Sequence, residues 1–249
     1  MIIFMRIDRL LCEMNIGTRS QVKELIKKGQ ICVNGSIVIK PDMQVEEADI
    51  VINCQGKDYC YRKFVYYMMN KPSGIITATK DARERTVFDL FREQIMELNQ
   101  GELSGVPVKD IFPVGRLDKD SVGLLLLTND GELSHRLLSP RKHVPKTYLV
   151  RTNLSVSDEM IRLLETGVSI GEDEKTLPAV LEQRGDREYL ITITEGKYHQ
   201  VKRMFQAVGV TVIYLKRLSM GTLVLDETLL EGQIRELTKE EVSNLCSRI

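Results

Sequence analysis

Val114-Gly115-Arg116-Leu117-Asp118-Lys119-Asp120-Ser121-Val122-Gly123 runs into Leu124-Leu125-Leu126-Leu127 and leaves through Thr128-Asn129-Asp130-Gly131. Four consecutive leucines entering an Asn-Asp-Gly turn read as a strand covered on both faces, because burial on one face alone would give an alternating pattern. Asp118 then sits just outside a core strand, where a rigid element can hold a short loop and aim one reactive group in a fixed direction. Arg116 supplies a permanent cation two residues away. Gly115 and Gly123 bracket the segment and permit backbone angles or close approaches that a side chain would forbid.

Asp118-x-Asp120 opens two other spacing matches. A calcium loop beginning at Asp118 would place Val122 at its fifth position and Asn129 at its twelfth, where oxygen ligands including a bidentate Glu belong, so that reading fails. The aspartyl-nucleophile box of haloacid-dehalogenase-type phosphohydrolases wants its apolar strand before the first Asp, and here the strand follows. The third match covers the whole stretch. Gly115-Arg-Leu-Asp118, continued by Gly123 to Gly131, resembles the catalytic motif of the pseudouridine synthases of the ribosomal small-subunit synthase A type. The resemblance implies that Asp118 is the nucleophile; the plain alternative is an Asp118 that merely pairs with Arg116 in a surface turn. The family's usual Thr at position 121 is Ser here, which keeps the hydroxyl.

The chain has 249 residues, 43% of them hydrophobic and 28% charged, an ordinary globular composition with room for one large or two modest domains. Its formal net charge is zero, so any RNA contact must come from local patches. Five cysteines with no C-x-x-C pair, an odd number without a secretory leader, argue for reduced thiols in the cytoplasm, with Cys12, Cys32 and Cys54 in apolar patterns that suit a core. The apolar start is too short for a signal peptide or a membrane span. His135, His143 and His199 lack metal-ligand spacing, and no Gly-rich phosphate loop is present, so neither a metal nor a nucleotide cofactor is expected.

Ile7, Leu10, Leu11 and Met14 form one apolar stripe of a short helix that Gly17 would end. Thr18 and Gln21 then fit a capping box opening a second helix, about residues 19 to 28, with Val22, Leu25 and Ile26 inward and Gly29 closing it. On its other face Arg19, Lys23 and Lys27 fall at i, i+4 and i+8, a stripe suited to phosphates and equally to plain solvation. Ile31-Cys-Val33, Asn34-Gly35 and Ser36-Ile-Val-Ile39 read as a hairpin with a type I′ turn. Helix, basic helix and hairpin together resemble the S4-type RNA-binding domain over residues 5 to 56, which implies Arg6, Arg9, Arg19, Lys23 and Lys27 as candidates for RNA contact. Glu46, Glu47, Asp49 and Asp58 offset this charge locally. The polar and aromatic run over 56–64 places a domain joint, giving an RNA-binding domain over 1–60 and a catalytic domain over 61–249.

Val65 to Met69 reads as a strand, with Asn70-Lys71-Pro72-Ser73-Gly74 as the turn after it. Asn-Lys-Pro-x-Gly is also the first motif of the same synthase family, which makes Lys71 a candidate for substrate contact. A helix is expected over Val87 to Leu98, then a Gly/Pro-bearing loop to about residue 110, a short helix over Glu132 to Leu138 and a basic loop over Ser139 to His143. Lys146 to Arg151 and Glu188 to Thr194 read as strands, 157–166 as a helix, 211–237 as closing strands and Lys239 to Cys246 as a terminal helix. By resemblance Tyr148 stacks on the target base; without it, Tyr148 is a tyrosine packed in a sheet. Glu195-Gly-Lys-Tyr-His-Gln-Val-Lys-Arg-Met-Phe205 resembles the family's third motif, in which Lys202 pairs with the catalytic carboxylate and Arg203 is a further RNA candidate; the alternative is two cations on an exposed helix face. Val201, Met204, Phe205 and Val208 form that helix's core stripe.

Pseudouridylation breaks the C1′–N1 bond of uridine, turns the base and rejoins it through C5, with no redox change, metal or cofactor. It needs an ionised carboxylate beside the sugar, and Lys202 and Arg116 can keep Asp118 charged. As nucleophile, or as the base of a glycal route, Asp118 would be a weak reagent made effective by placement. The expectation is therefore an α+β chain: an S4-like domain, then a catalytic domain built on a mixed, mainly antiparallel sheet. The reaction expected by resemblance is isomerisation of one uridine of 16S rRNA, the site called 516, by a monomer away from membranes. A 23S rRNA synthase of the same family and a non-catalytic RNA-binding assembly factor stay open as alternatives.

Overall fold

A computed structural model describes residues 4–46, 50–98, 110–171 and 173–247. The chain divides into two compact units, Met1–Val65 with Phe91–Ile111, and Tyr66–Leu90 with Phe112–Ile249. The expected Gly/Pro-bearing loop before residue 110, like Glu47 and Asp49, lies outside the described residues. No helix among the described residues is long and apolar enough to cross a membrane.

In the first unit β1 (Phe4–Arg6) leads into α1 (Ile7–Glu13), whose stripe Ile7, Leu10, Leu11 and Met14 is wholly buried. Asn15, with φ 55°, turns the chain out of this helix two residues before the expected Gly17; its short polar side chain tolerates the left-handed region. α2 (Arg19–Lys27) opens on the expected capping box, Gln21 N donating to Thr18 Oγ1 while the Gln21 side chain accepts from Thr18 N. Val22 and Ile26 are buried, Leu25 is half-buried, and Arg19, Lys23 and Lys27 are exposed.

β2 (Ile31–Val33) and β3 (Ser36–Ile37) pair across Asn34-Gly35, whose φ values of 48° and 81° are the pair of positive angles a type I′ turn requires. β4 (Gln44–Glu46) pairs with β1, and β5 (Ile50–Cys54) joins β2 to β6 (Lys57–Tyr61). This last hairpin explains why the first unit runs past the expected joint at residue 60. The polar, aromatic run is a strand in register with β5, from Ile50 opposite Tyr61 to Cys54 opposite Lys57, so its backbone belongs to the first unit. Of the cysteines expected in a core, Cys54 is buried and Cys12 and Cys32 are half-buried.

The second unit is one nine-stranded sheet. Its strands are β7 (Tyr66–Lys71), β8 (Phe112–Pro113), β9 (Val122–Thr128), β10 (Lys146–Thr152), β11 (Val180–Gly185), β12 (Glu188–Ile193), β13 (Val212–Met220), β14 (Leu223–Val224) and β15 (Ile234–Glu236). The main order is β11-β12-β10-β13-β9-β7-β15, with β14 on β13 and β8 on β9. Among the described strands β9 and β13 run parallel and the other pairs are antiparallel, as expected of a mixed sheet.

All seven residues of β9 are buried and Leu124 to Leu127 are fully so, as the unbroken apolar run demands. Gly123 has φ +99°, and a Cβ there would lie 2.3 Å from the Arg217 carbonyl oxygen on β13. Close approach of two backbones is thus what this position needs from glycine.

The helices are α3 (Val87–Leu98), α4 (Gly131–Leu138), α5 (Asp158–Thr166), α6 (Gln200–Ala207) and α7 (Lys239–Ser247). One cluster gathers Leu124 and Leu126 with Leu133 and Leu137 of α4 and Leu245 of α7. Another gathers Leu117 and Tyr148 with Leu164 of α5 and Val201, Met204 and Phe205 of α6. Asp130 caps α4, accepting from Leu133 N at 2.9 Å and from the Tyr66 hydroxyl at 2.9 Å, so the turn closing β9 is also the start of the next helix.

Candidate active site

β7 runs two residues beyond the expected strand, and this decides what Lys71 does. Asn70 and Lys71 are strand residues rather than turn residues, and Lys71 is fully buried. Its ammonium lies 3.1 Å from the Asp118 carbonyl oxygen, 2.9 Å from that of Ser121, 3.0 Å from that of Pro72 and 3.4 Å from that of Lys119. Burial pushes its pKa down to about 8, against the opposing pull of the Asp120 and Asp118 charges. The same turn adds a further tie to that loop, Gly74 N donating to Lys119 O at 2.8 Å. Thr77 Oγ1 donates to Leu117 O at 2.7 Å and accepts from Leu117 N at 3.1 Å. The Asn-Lys-Pro-x-Gly stretch therefore fixes the loop that carries Asp118 by gripping its backbone. Lys71 has no surface to offer RNA, which corrects its assignment as a substrate contact.

The Asp118 side chain is 26% exposed, and two groups of the third motif meet it. Lys202 Nζ lies 3.1 Å from Oδ2 and His199 Nε2 lies 3.4 Å from Oδ1. Lys202 Nζ also donates to Asp120 Oδ1 at 2.5 Å. Burial acts to lower the pKa of Lys202, but the two carboxylates outweigh it and the net shift is upward. The Lys202 hydrogen bond in turn holds Asp120 below the usual carboxylate range. Arg116 is exposed beside this group, and among the described residues the Asp118 carboxylate pairs with the Lys202 ammonium, rather than with Arg116, and stands beside the His199 imidazole. Of the two cations expected beside Asp118, Lys202 on α6 is the one in contact with it.

His199 is the residue that sequence reading passed over. It has φ +47° and precedes α6, so with Lys202 three residues on it presents a second nitrogen to the same carboxylate. The signal was that spacing within the third motif, not any metal pattern. Arg203, expected to face RNA, is engaged inside the unit. It pairs with Glu174 at 2.8 Å and donates to the carbonyl oxygens of Ile170 and, at 3.1 Å, Tyr198.

A cleft of about 900 Å³ opens over this loop, lined among others by Arg116, Asp118, Tyr148, His199 and Arg217. Tyr148 is 8% exposed on β10, beside a register irregularity between Thr147 and Tyr148. It is packed in the sheet and at the same time lines the cleft. Ser139 and Pro140 also line the cleft, bringing the expected basic loop to its edge. Ser121 Oγ is buried with no hydrogen-bond partner among the described residues. Of the candidates in the first unit, Arg6 pairs with Asp8 at 2.8 Å and Arg9 with Glu13 at 2.7 Å while remaining exposed, as are Arg19, Lys23 and Lys27.

Comparison with known proteins agrees with this geometry. Residues 65–207 match the family model described as RNA pseudouridylate synthase, and residues 5–51 match the S4 domain. The uncharacterized RNA pseudouridine synthase YtzG of Bacillus subtilis is 47% identical, covering 96% of this chain and 97% of its own length. The ribosomal small subunit pseudouridine synthase A of Vibrio cholerae is 38% identical, covering 97% and 99%. The ribosomal large subunit pseudouridine synthase B of Bacillus subtilis is 35% identical, covering 96% and 95%. A crystal structure of a pseudouridylate synthase superposes with a TM-score of 0.65 at 35% identity, covering 97% of this chain and 99% of the other. A chain with an S4 domain, a mixed sheet and a carboxylate held over a deep cleft, matched over nearly its whole length by such enzymes, belongs to the RNA pseudouridylate synthase family and is an RNA pseudouridine synthase.

Proposed function

We propose that the substrate is one uridine of 16S rRNA, uridine 516, and that Asp118 is the group that attacks it. The observation that carries the role of Asp118 is its partly exposed carboxylate at the cleft wall, 3.1 Å from the Lys202 ammonium. That cation pairs with the carboxylate and holds it at the cleft wall. Lys71, Gly74 and Thr77 fix the backbone on which Asp118 rides, so placement supplies what an ordinary carboxylate lacks in intrinsic reactivity. The uracil leaves its stack at a cost of roughly a few kcal/mol. Stacking on Tyr148 returns about 1–3 kcal/mol, and Arg116, exposed at the rim, fills the vacated place.

Arg6, Arg9, Arg19, Lys23 and Lys27, on the unit matched by the S4 domain, track the phosphates of the same RNA. The protein acts as a monomer in the cytoplasm. The choice of 16S rRNA is supported by the Tyr198-His-Gln-Val-Lys-Arg203 stretch, which resembles the small-subunit enzyme's form of the third motif more than the Asn-Arg-Gln-Ile-Arg-Arg usual in large-subunit paralogues, and by the full-length small-subunit relative. The large-subunit relative at 35% identity favours 23S rRNA as the second reading.

Two measurements test this. Asp118→Asn is expected to fold, bind RNA and release no tritium from 5-tritiated uridine in rRNA; turnover by that variant removes Asp118 from the reaction. Mapping pseudouridine in both rRNAs of a deletion strain decides the target: loss at 16S position 516 is expected, and loss from 23S rRNA instead moves the substrate to the large subunit.

A further inference from the structure

Tyr198 is 67% exposed at the edge of the cleft that holds Asp118, and the chemistry above makes no use of it. Its ring lies on the imidazole of His199, with centroids 3.8 Å apart and planes 18° from parallel. That imidazole stands 3.4 Å from the Asp118 carboxylate. The turn presenting the ring is fixed from several sides. Arg203 donates to the Tyr198 carbonyl oxygen at 3.1 Å while pairing with Glu174, and Lys197 N donates to Gln200 Oε1 at 2.9 Å. A tyrosine that exposed buries too little surface to be explained by core packing. Preorganising an aromatic face that meets solvent instead suits a flat ligand.

Extruding a uridine supplies such a ligand. When one nucleotide leaves its stack, the next base loses a stacking partner on one face, and unstacked bases in RNA are received by aromatic side chains. We propose that Tyr198, backed by His199, is the stacking platform for the base adjacent to the extruded uridine, and so a subsite that selects the flanking nucleotide. The assignment rests on the reading of the cleft as the seat of an RNA uridine. It also links recognition to the reacting group, because the residue under the platform is the one that touches Asp118.

The test uses the full chain and the shortest rRNA fragment that the wild type converts, together with copies of that fragment carrying an abasic site on the 5′ or the 3′ side of the target. Tyr198→Ala is expected to raise KM about tenfold, equivalent to about 1.4 kcal/mol and within the range of base stacking on an aromatic ring, with kcat moving less. Tyr198→Phe, which keeps the ring, is expected to restore KM. An abasic site on one flank should raise the wild-type KM by a similar factor and add nothing to the Ala variant. An unchanged KM in Tyr198→Ala, or additive effects of variant and abasic site on both flanks, overturns the platform while leaving the reaction assigned. A wild type that makes no pseudouridine in any rRNA fragment overturns the functional reading, and the platform with it.

Discussion

Replacing Lys71 by Met keeps most of the length of the side chain and removes its charge. Three N–H groups of the ammonium are shared among four carbonyl oxygens, those of Asp118, Lys119, Ser121 and Pro72. Hydrogen bonds to a charged group contribute about 1.5–3 kcal/mol each, so the grip is worth about 4.5–9 kcal/mol. Against this stands the cost of burying the ammonium. A pKa pushed from 10.5 to about 8 corresponds to about 3 kcal/mol, at about 1.36 kcal/mol per tenfold change in proton affinity.

The balance is a loss of about 1.5–6 kcal/mol. For a chain of this size that lowers the melting temperature by roughly 3–24 °C. The kcat should fall with it, because the loop carrying Asp118 loses its ties. The RNA dissociation constant should stay within about twofold, because the ammonium touches no surface. Thermal melting, single-turnover kinetics and filter binding on the same preparation make the test. A variant that melts like the wild type but binds RNA tenfold more weakly would refute the reasoning and return Lys71 to the RNA-contacting surface.

Gly123→Ala should cost about 2–6 kcal/mol in urea unfolding, from roughly 1–3 kcal/mol of positive-φ strain and 1–3 kcal/mol of overpacking against the β13 backbone; a change below about 1 kcal/mol would show that β9 and β13 separate without penalty. Asp120 lies below its ordinary 3.8 and Lys202 above its ordinary 10.5. Their mutual stabilisation is therefore complete between those values, lost as pH falls through the folded value of Asp120, and lost again as pH rises through that of Lys202. The stability gap between wild type and Asp120→Asn should hold steady over about pH 5–8 and close toward pH 3, and a gap independent of pH contradicts the pairing. Thr18→Ala, which removes one half of the capping box, should destabilise the first unit by about 1 kcal/mol, read by amide exchange in α2; exchange at the wild-type rate there would show the cap to be idle.

Legibility differed with the range of the interaction. Local patterns carried far: the α1 stripe, the capping box at Thr18, the type I′ turn at Asn34-Gly35 and the four leucines of β9 each encode their surroundings within a few residues. The mixed sheet followed from the resemblance and is borne out by its topology. What the sequence hid is long-range. Lys71 reads as a turn residue because a lysine in a strand is ordinarily at the surface, and only the opposing loop, 47 residues on, shows why one is buried. His199 was set aside for want of metal spacing, although its distance from Lys202 placed both near one carboxylate. Arg203 reads as a free cation because Glu174 and the carbonyl oxygen of Ile170 lie about thirty residues earlier, with nothing local to announce them.

The grip of Lys71 on main-chain oxygens has an evolutionary corollary. Every amino acid carries a carbonyl, so the anchorage is indifferent to which side chains occupy positions 119 and 121. The Ser121 hydroxyl, without a hydrogen-bond partner among the described residues, is one sign of that latitude. Selection can therefore retune the outer surface of this segment for a new RNA without dislodging the carboxylate beside it, which gives a single scaffold a route to many target nucleotides.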